Sequence, residues 1–131
     1  MTGVQTCALP ISDVYVHASR ADTAPLAVLE ALACGTPVVA TRIGGIPEQV
    51  RHVDVAALAA GRAALGEGTG VLVPPRDPAA VVAAIDALRR SPETRRILGA
   101  NAVADVAARF SLDRQVDAYL SWYRGLVPER A

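Results

Sequence analysis

Short β-branched runs alternate with longer stretches of helical spacing, and proline, glycine or a capping residue marks most junctions between them. Residues 13–19, DVYVHAS, read as a strand. Residues 36–41, TPVVAT, have the length and composition of a buried parallel strand, and residues 70–75, GVLVPP, read as a third. Between the first two, Asp22 and Thr23 precede Pro25 and an apolar run that stops at Gly35. Proline in a first turn and glycine just past a last one bracket a helix. Gly44 and Gly45 make a turn after the second strand, and Ile46 to Val50 can start another helical turn. Residues 53–65 are alanine-rich and helical in composition, but Gly61 interrupts them and no residue caps them. Three capped helices follow. Asp77 precedes Pro78 and a face of Val81, Val82, Ile85 and Leu88; Ser91 precedes Pro92; Ser111 precedes a stripe of Leu112, Val116, Tyr119, Leu120 and Tyr123.

Strand, helix, strand, turn and strand followed by helices predict an α/β fold: part of a Rossmann-like parallel sheet with about three strands and five to six flanking helices. Three strands are few for such a sheet, and nothing before Asp13 reads as a neighbour for the first one. The expectation is a chain that begins within a domain spanning residues 12–127, followed by a tail at 128–131. Residues 1–11 show neither helical nor strand period and lack the charged start of a signal peptide. They resemble peptide ends that arise when sequencing-adapter bases are read as coding, and are expected to stay outside the fold. A genuine irregular arm is the alternative.

The hydrophobic share, 52%, is enough for a core, but 26 residues are alanine and only 4% are aromatic, so small side chains must pack between closely spaced elements. All 13 basic residues are arginine and are balanced by 13 acids, which leaves no long-range attraction for nucleic acid. This arginine-only, alanine-rich usage suggests a GC-rich bacterial genome. No apolar run approaches the roughly 18 residues that cross a bilayer. Cys7 and Cys34 have neither metal-ligand nor disulfide-framework spacing. A reducing cytoplasm is the expected compartment, with a parent enzyme at the inner face of a membrane left open.

Chemistry concentrates in residues 19–41, SRADTAPLAVLEALACGTPVVAT. A loop follows a strand's C-terminal end, where open α/β sheets bind ligands. It feeds a helix N-terminus whose first N–H groups have no intrahelical partner and whose dipole favours an anion. Asp22 lies before that helix and Glu30 inside it, with seven residues between them. One acid in the first turns suits a ribose diol, because a carboxylate accepts from two vicinal hydroxyls. The plainer reading makes Asp22 a helix cap and Glu30 a solvated charge.

The same run resembles the donor-binding segment of the retaining GT-B glycosyltransferases called glycosyl transferases group 1, or family 4. Their signature is two glutamates separated by seven residues, a helix, a Gly-x-Pro-Val-Val strand and a Gly-Gly turn. Here it stands as Asp22, Glu30, CGTPVVATRIGGIPEQV and GVLVPPRDPAAV, and the closing RFSLDRQVDAYLSWY resembles the family's final helix. The likeness implies that Glu30 holds the donor ribose and that the N–H groups of Leu26 and Ala27 meet the diphosphate. It places Asp22 against the transferred sugar, with Thr23, Ala24 and Pro25 beside it. Two departures stand out: Asp22 is one methylene shorter than the usual glutamate, and Thr23-Ala24-Pro25 replaces a glycine-containing tripeptide.

The partner implied is a nucleotide-diphosphate sugar, a substrate, with no cofactor and no metal in the donor site. The family also holds the diphosphate with an upstream arginine and lysine and places its acceptor site in a separate N-terminal domain. This sequence has no lysine, so a transferase segment inactive alone is expected. A non-catalytic α/β nucleotide- or partner-binding module and a GT-B epimerase segment are the alternatives. His17 and His52 read as packed or surface residues, Cys34 as a small core residue, and Arg42 as a surface residue near the ligand edge. The Arg89-Arg90 and Arg95-Arg96 pairs read as solvated helix-end charges.

Overall fold

The computed structural model describes residues 8–127. Three strands form one open parallel sheet in the order β1-β2-β3: β1 is Tyr15–His17, β2 is Val38–Thr41 and β3 is Gly70–Val73. Tyr15 to His17 pair with Val38 to Ala40, and Val38 to Thr41 pair with Gly70 to Val73. Gly70 is required by that close pairing, since a Cβ there would lie 2.3 Å from the Val38 carbonyl oxygen.

Helix α1, Leu26–Ala33, connects β1 to β2 as the crossover that parallel strands need. The single-turn helices α2 (Ile46–Gln49), α3 (Val55–Leu58) and α4 (Arg62–Leu65) lie between β2 and β3. Gly61, at φ +89°, separates the last two and explains why residues 53–65 do not make one helix. Helices α5 (Pro78–Arg90), α6 (Pro92–Arg109) and α7 (Leu112–Leu126) complete the chain. Their caps are those expected: Asp77, Ser91 and Ser111 accept from the N–H groups of Ala80, Thr94 and Arg114. Each such cap contributes about 1 kcal/mol.

Both sheet faces are apolar, because side chains alternate along each strand. Val38, Ala40 and Leu72 face one cluster with Val28, Ala31 and Leu32 of α1. Val39, Val71 and Val73 face the other with Ala84 and Leu88 of α5, and α6 contributes to both. Small residues set the spacing: a Cβ on Gly99 of α6 would lie 2.2 Å from the carbonyl oxygen of Gly35, just beyond α1.

Three expectations need correction. Residues 8–11 belong to the fold. Leu9 to Ile11 form a 3-10 turn, Leu9 is buried in the α1-side cluster, and the Thr36 hydroxyl donates to its carbonyl at 2.6 Å. Residues 1–7 and 128–131 lie outside the described residues. Cys34 is exposed, because it falls at the C-cap of α1 past the last buried turn. Arg95 is not a solvated charge: it donates to the carbonyls of Leu88 and Arg89 at the end of α5 and pairs with Asp13. The apolar stripe of α7 is uncovered. No α7 residue is buried, and Leu112 and Trp122 are 71% and 58% exposed.

Candidate functional site

The candidate residues gather at the C-terminal ends of the strands, on the loop from β1 into α1. Pro25 is the N-cap of α1, in extended backbone with no side-chain cap bond. Asp22 therefore does not cap this helix. Val28 N–H reaches the Pro25 carbonyl at 3.3 Å. The N–H groups of Leu26 and Ala27 come before it and have no intrahelical acceptor. Leu26 is exposed, Ala27 half-buried, Pro25 buried, and Thr23 and Ala24 exposed.

The β2 side holds this loop in place. The Thr41 hydroxyl donates to the Ser19 carbonyl at 2.7 Å, and Gly45 N–H donates to the Thr23 carbonyl at 2.7 Å. Gln49 Nε2 donates to the Pro25 carbonyl at 3.3 Å, directly beneath the start of α1. Gly44 has φ +50°, and a Cβ on it would meet the Asp22 carbonyl oxygen at 1.8 Å. The two glycines thus let two loops touch backbone to backbone. A cavity of about 560 Å³ lined by Thr23, Ala24, Leu26, Gly44 and Gly45 opens on one side. Another of about 570 Å³, lined by Ser19, Arg20, Thr41 and Arg76, opens on the other.

The two acids are both half-buried. Asp22 Oδ2 lies 3.1 Å from His17 Nε2, and His17 Nδ1 lies 3.3 Å from the Tyr15 hydroxyl. His17 is therefore part of the acid's surroundings, which its lone position in the sequence did not show. Burial, with the Glu30 and Asp22 charges nearby, pushes the Tyr15 hydroxyl above its ordinary pKa. The plainer reading of Glu30 as a solvated charge needs correction, because its Oε2 is buried and has no hydrogen-bond partner among the described residues. The reason is position. Glu30 sits in the second turn of α1, close enough to Tyr15 for its charge to act on that hydroxyl, and helical side chains lean toward the N-terminus. An unsatisfied buried carboxylate oxygen costs stability, and such groups are retained where a ligand can satisfy them.

The remaining candidates lie outside this cluster. His52 Nδ1 accepts from the Leu72 N–H at 3.0 Å and its Nε2 meets Asp54, extending the sheet beyond β3. Arg42 is exposed on the loop after β2. Away from the sheet edge, Asp105 of α6 is 6% exposed and accepts from Arg51 Nε at 2.6 Å and Arg109 Nε at 2.7 Å. Arg109 also donates to the Glu48 and Gln49 carbonyls, locking α2 to α6.

Residues 7–105 match the family described as Glycosyl transferases group 1. D-inositol 3-phosphate glycosyltransferase of Kineococcus radiotolerans is 39% identical over 92% of this chain and 26% of its own length. N-acetyl-alpha-D-glucosaminyl L-malate synthase of Bacillus anthracis is 31% identical over 88% of this chain and 26% of its own. Among solved structures, sucrose-phosphate synthase from Thermosynechococcus elongatus superposes with a TM-score of 0.72 at 33% identity, over 88% of this chain and 25% of that one. The C-terminal domain of a glycosyl transferase group 1 protein from Francisella tularensis gives 0.60 at 26% identity, over 76% of this chain and 44% of that one. The chain spans about a quarter of the length of the curated relatives it matches. A parallel sheet, a strand–loop–helix edge carrying two acids and these likenesses converge: the chain belongs to the glycosyl transferases group 1 family, with the α/β architecture of GT-B enzymes.

Proposed function

We propose that this chain is the donor-binding part of a retaining glycosyltransferase that takes a sugar from a nucleoside-diphosphate sugar. Glu30 accepts from the ribose hydroxyls, the N–H groups of Leu26 and Ala27 meet the diphosphate, and Asp22 faces the transferred sugar. Thr23, Ala24 and Pro25 shape the backbone beside it, and no metal takes part. The observation that carries this reading is Glu30 Oε2, a buried acceptor without a partner beside a helix N-terminus with free donors.

The whole reaction needs more than these residues. A departing diphosphate requires charge stabilisation, and the acceptor must be held against the anomeric carbon. An exposed helix N-terminus contributes about 0.3–1 kcal/mol toward an anion, far below the roughly 8 kcal/mol of a micromolar complex. The acceptor site and further cationic groups therefore belong to parts of the longer enzyme beyond this chain. The isolated 131-residue chain is expected to transfer and hydrolyse no nucleotide sugar. Calorimetry with nucleoside diphosphates on the full-length enzyme tests the site. Glu30→Gln should weaken binding by about 1–3 kcal/mol, the scale for losing a charged hydrogen-bond partner. Unchanged affinity removes Glu30 from the site.

A further inference from the structure

We infer that His17 is a positioning residue: fixed by Tyr15, it holds Asp22 in one orientation and thereby sets how well the donor site discriminates a nucleotide sugar from the bare nucleotide. The inference rests on the functional reading above, since it requires a sugar against Asp22. Its structural basis is the bonded series from Tyr15 through His17 to Asp22, at 3.3 and 3.1 Å.

Proton bookkeeping makes that series directional. An ionised carboxylate only accepts, so His17 Nε2 donates to Asp22. In the neutral ring Nδ1 is then the acceptor, and the Tyr15 hydroxyl donates to it. The tautomer is thus chosen by its two neighbours. The titratable groups bonded to the imidazole are Tyr15 on its own strand and Asp22 on the loop, and the charge of Glu30 on α1 acts on Tyr15.

Two further features make the tether matter. His17 is the last residue of β1 and pairs with Ala40 in the sheet, so the Asp22 carboxylate is tied to the sheet as well as to its loop. Asp22 Oδ2 is occupied by the imidazole, while Oδ1 has no hydrogen bond among the described residues and is the oxygen left for a sugar hydroxyl. A glutamate here would carry its carboxylate about 1.5 Å further, one C–C bond past the imidazole. Aspartate at 22 and histidine at 17 therefore match each other. An untethered aspartate would sample several rotamers and lose part of the entropic advantage of a preset acceptor.

The experiment compares full-length enzymes. UDP-glucose, UDP-N-acetylglucosamine and GDP-mannose are each titrated against the parent nucleoside diphosphate, and the readout is the sugar-to-nucleotide affinity ratio for the donor that binds. His17→Leu and Asp22→Asn should each lower that ratio about tenfold, and the double variant no further, as for residues acting as a unit. His17→Gln, whose amide N–H can reach Asp22, should restore it. Ring-nitrogen NMR of the 131-residue chain should show His17 protonated on Nε2, with a signal that shifts in Asp22→Asn. A ratio unchanged in His17→Leu, additive single effects, or a ring insensitive to Asp22→Asn overturns the inference while leaving the functional reading intact. Absence of binding by every nucleotide overturns both.

Discussion

The N–H of Gly45 donates to the carbonyl of Thr23 at 2.7 Å, and a methyl group on Gly45 would lie 2.1 Å from that same oxygen. The loop that carries Asp22 is therefore shaped by the absence of a side chain on the neighbouring loop. Gly45→Ala should destabilise the fold by about 1–3 kcal/mol, the cost of forcing atoms into a packed site. Urea denaturation reads the loss. Nucleotide binding by the full-length variant should fall as well, because the loop must move to make room. Wild-type stability would show that the two loops separate freely.

Glu30 predicts an opposition between stability and binding. Its Oε2 is buried without a partner, so an apolar side chain of similar length should suit the free protein better. Glu30→Met is expected to stabilise the chain by about 1 kcal/mol while removing nucleotide affinity, the trade seen where a site is kept strained for a ligand. Paired thermal melts and calorimetry check both signs. A melt that moves down would show that a bond to Glu30 supports the fold.

Asp105 governs the acid limb of stability. Burial pushes its carboxyl up, but hydrogen bonds from Arg109 and Arg51 outweigh that and hold it below the ordinary value. A carboxyl lowered in the folded state stabilises above its unfolded pKa, near 3.9, and that contribution is lost as pH falls through the folded value. Asp105→Asn should cost about 2 kcal/mol at neutral pH, less than a fully buried pair because solvent reaches the arginines. It should also flatten the stability profile below about pH 4. Equal losses in wild type and variant on acidification would assign the acid limb to other carboxylates.

The stripe on α7 should make the chain self-associate. Leu112, Val116, Tyr119, Leu120, Trp122 and Tyr123 are all exposed on one helix with no buried residue, and contiguous apolar surface of this kind seeks a partner. Sedimentation of the 131-residue chain is expected to show concentration-dependent oligomers, and Leu120→Glu to shift it toward monomer. A monomer at all concentrations would mean that α7 folds back or stays solvated.

What could be read before the structure was whatever short-range chemistry decides. The three strands announce themselves as β-branched runs, and Asp77, Ser91 and Ser111 as caps because each satisfies an N–H three residues on. The two-acid loop stood out by its place between a strand and a helix N-terminus and by its likeness to a family motif, while spacing alone left the plainer reading open. What stayed hidden depends on contacts across the fold. Leu9 is buried by one isolated side chain in a segment without period, and period was the only signal available. His17 finds Asp22 across a loop and Tyr15 across one strand step, and Gln49 reaches Pro25 from another helix. The α7 stripe was visible, but a hydrophobic pattern does not say whether anything covers it.

Helix α1 is held at both ends by gaps the size of a hydrogen atom: Gly99 against Gly35 behind it, and the Gly44–Gly45 turn against Asp22 and Thr23 in front. Its N-terminal donors, Leu26 and Ala27, lie at one end and the Gly99 contact near the other. A side chain acquired at residue 99 would push on Gly35, about 12 Å from those donors at 1.5 Å per residue, and shift α1 against α6. Random mutagenesis screened for weakened nucleotide capture should therefore return changes at the back of the helix, in residues that never meet the ligand.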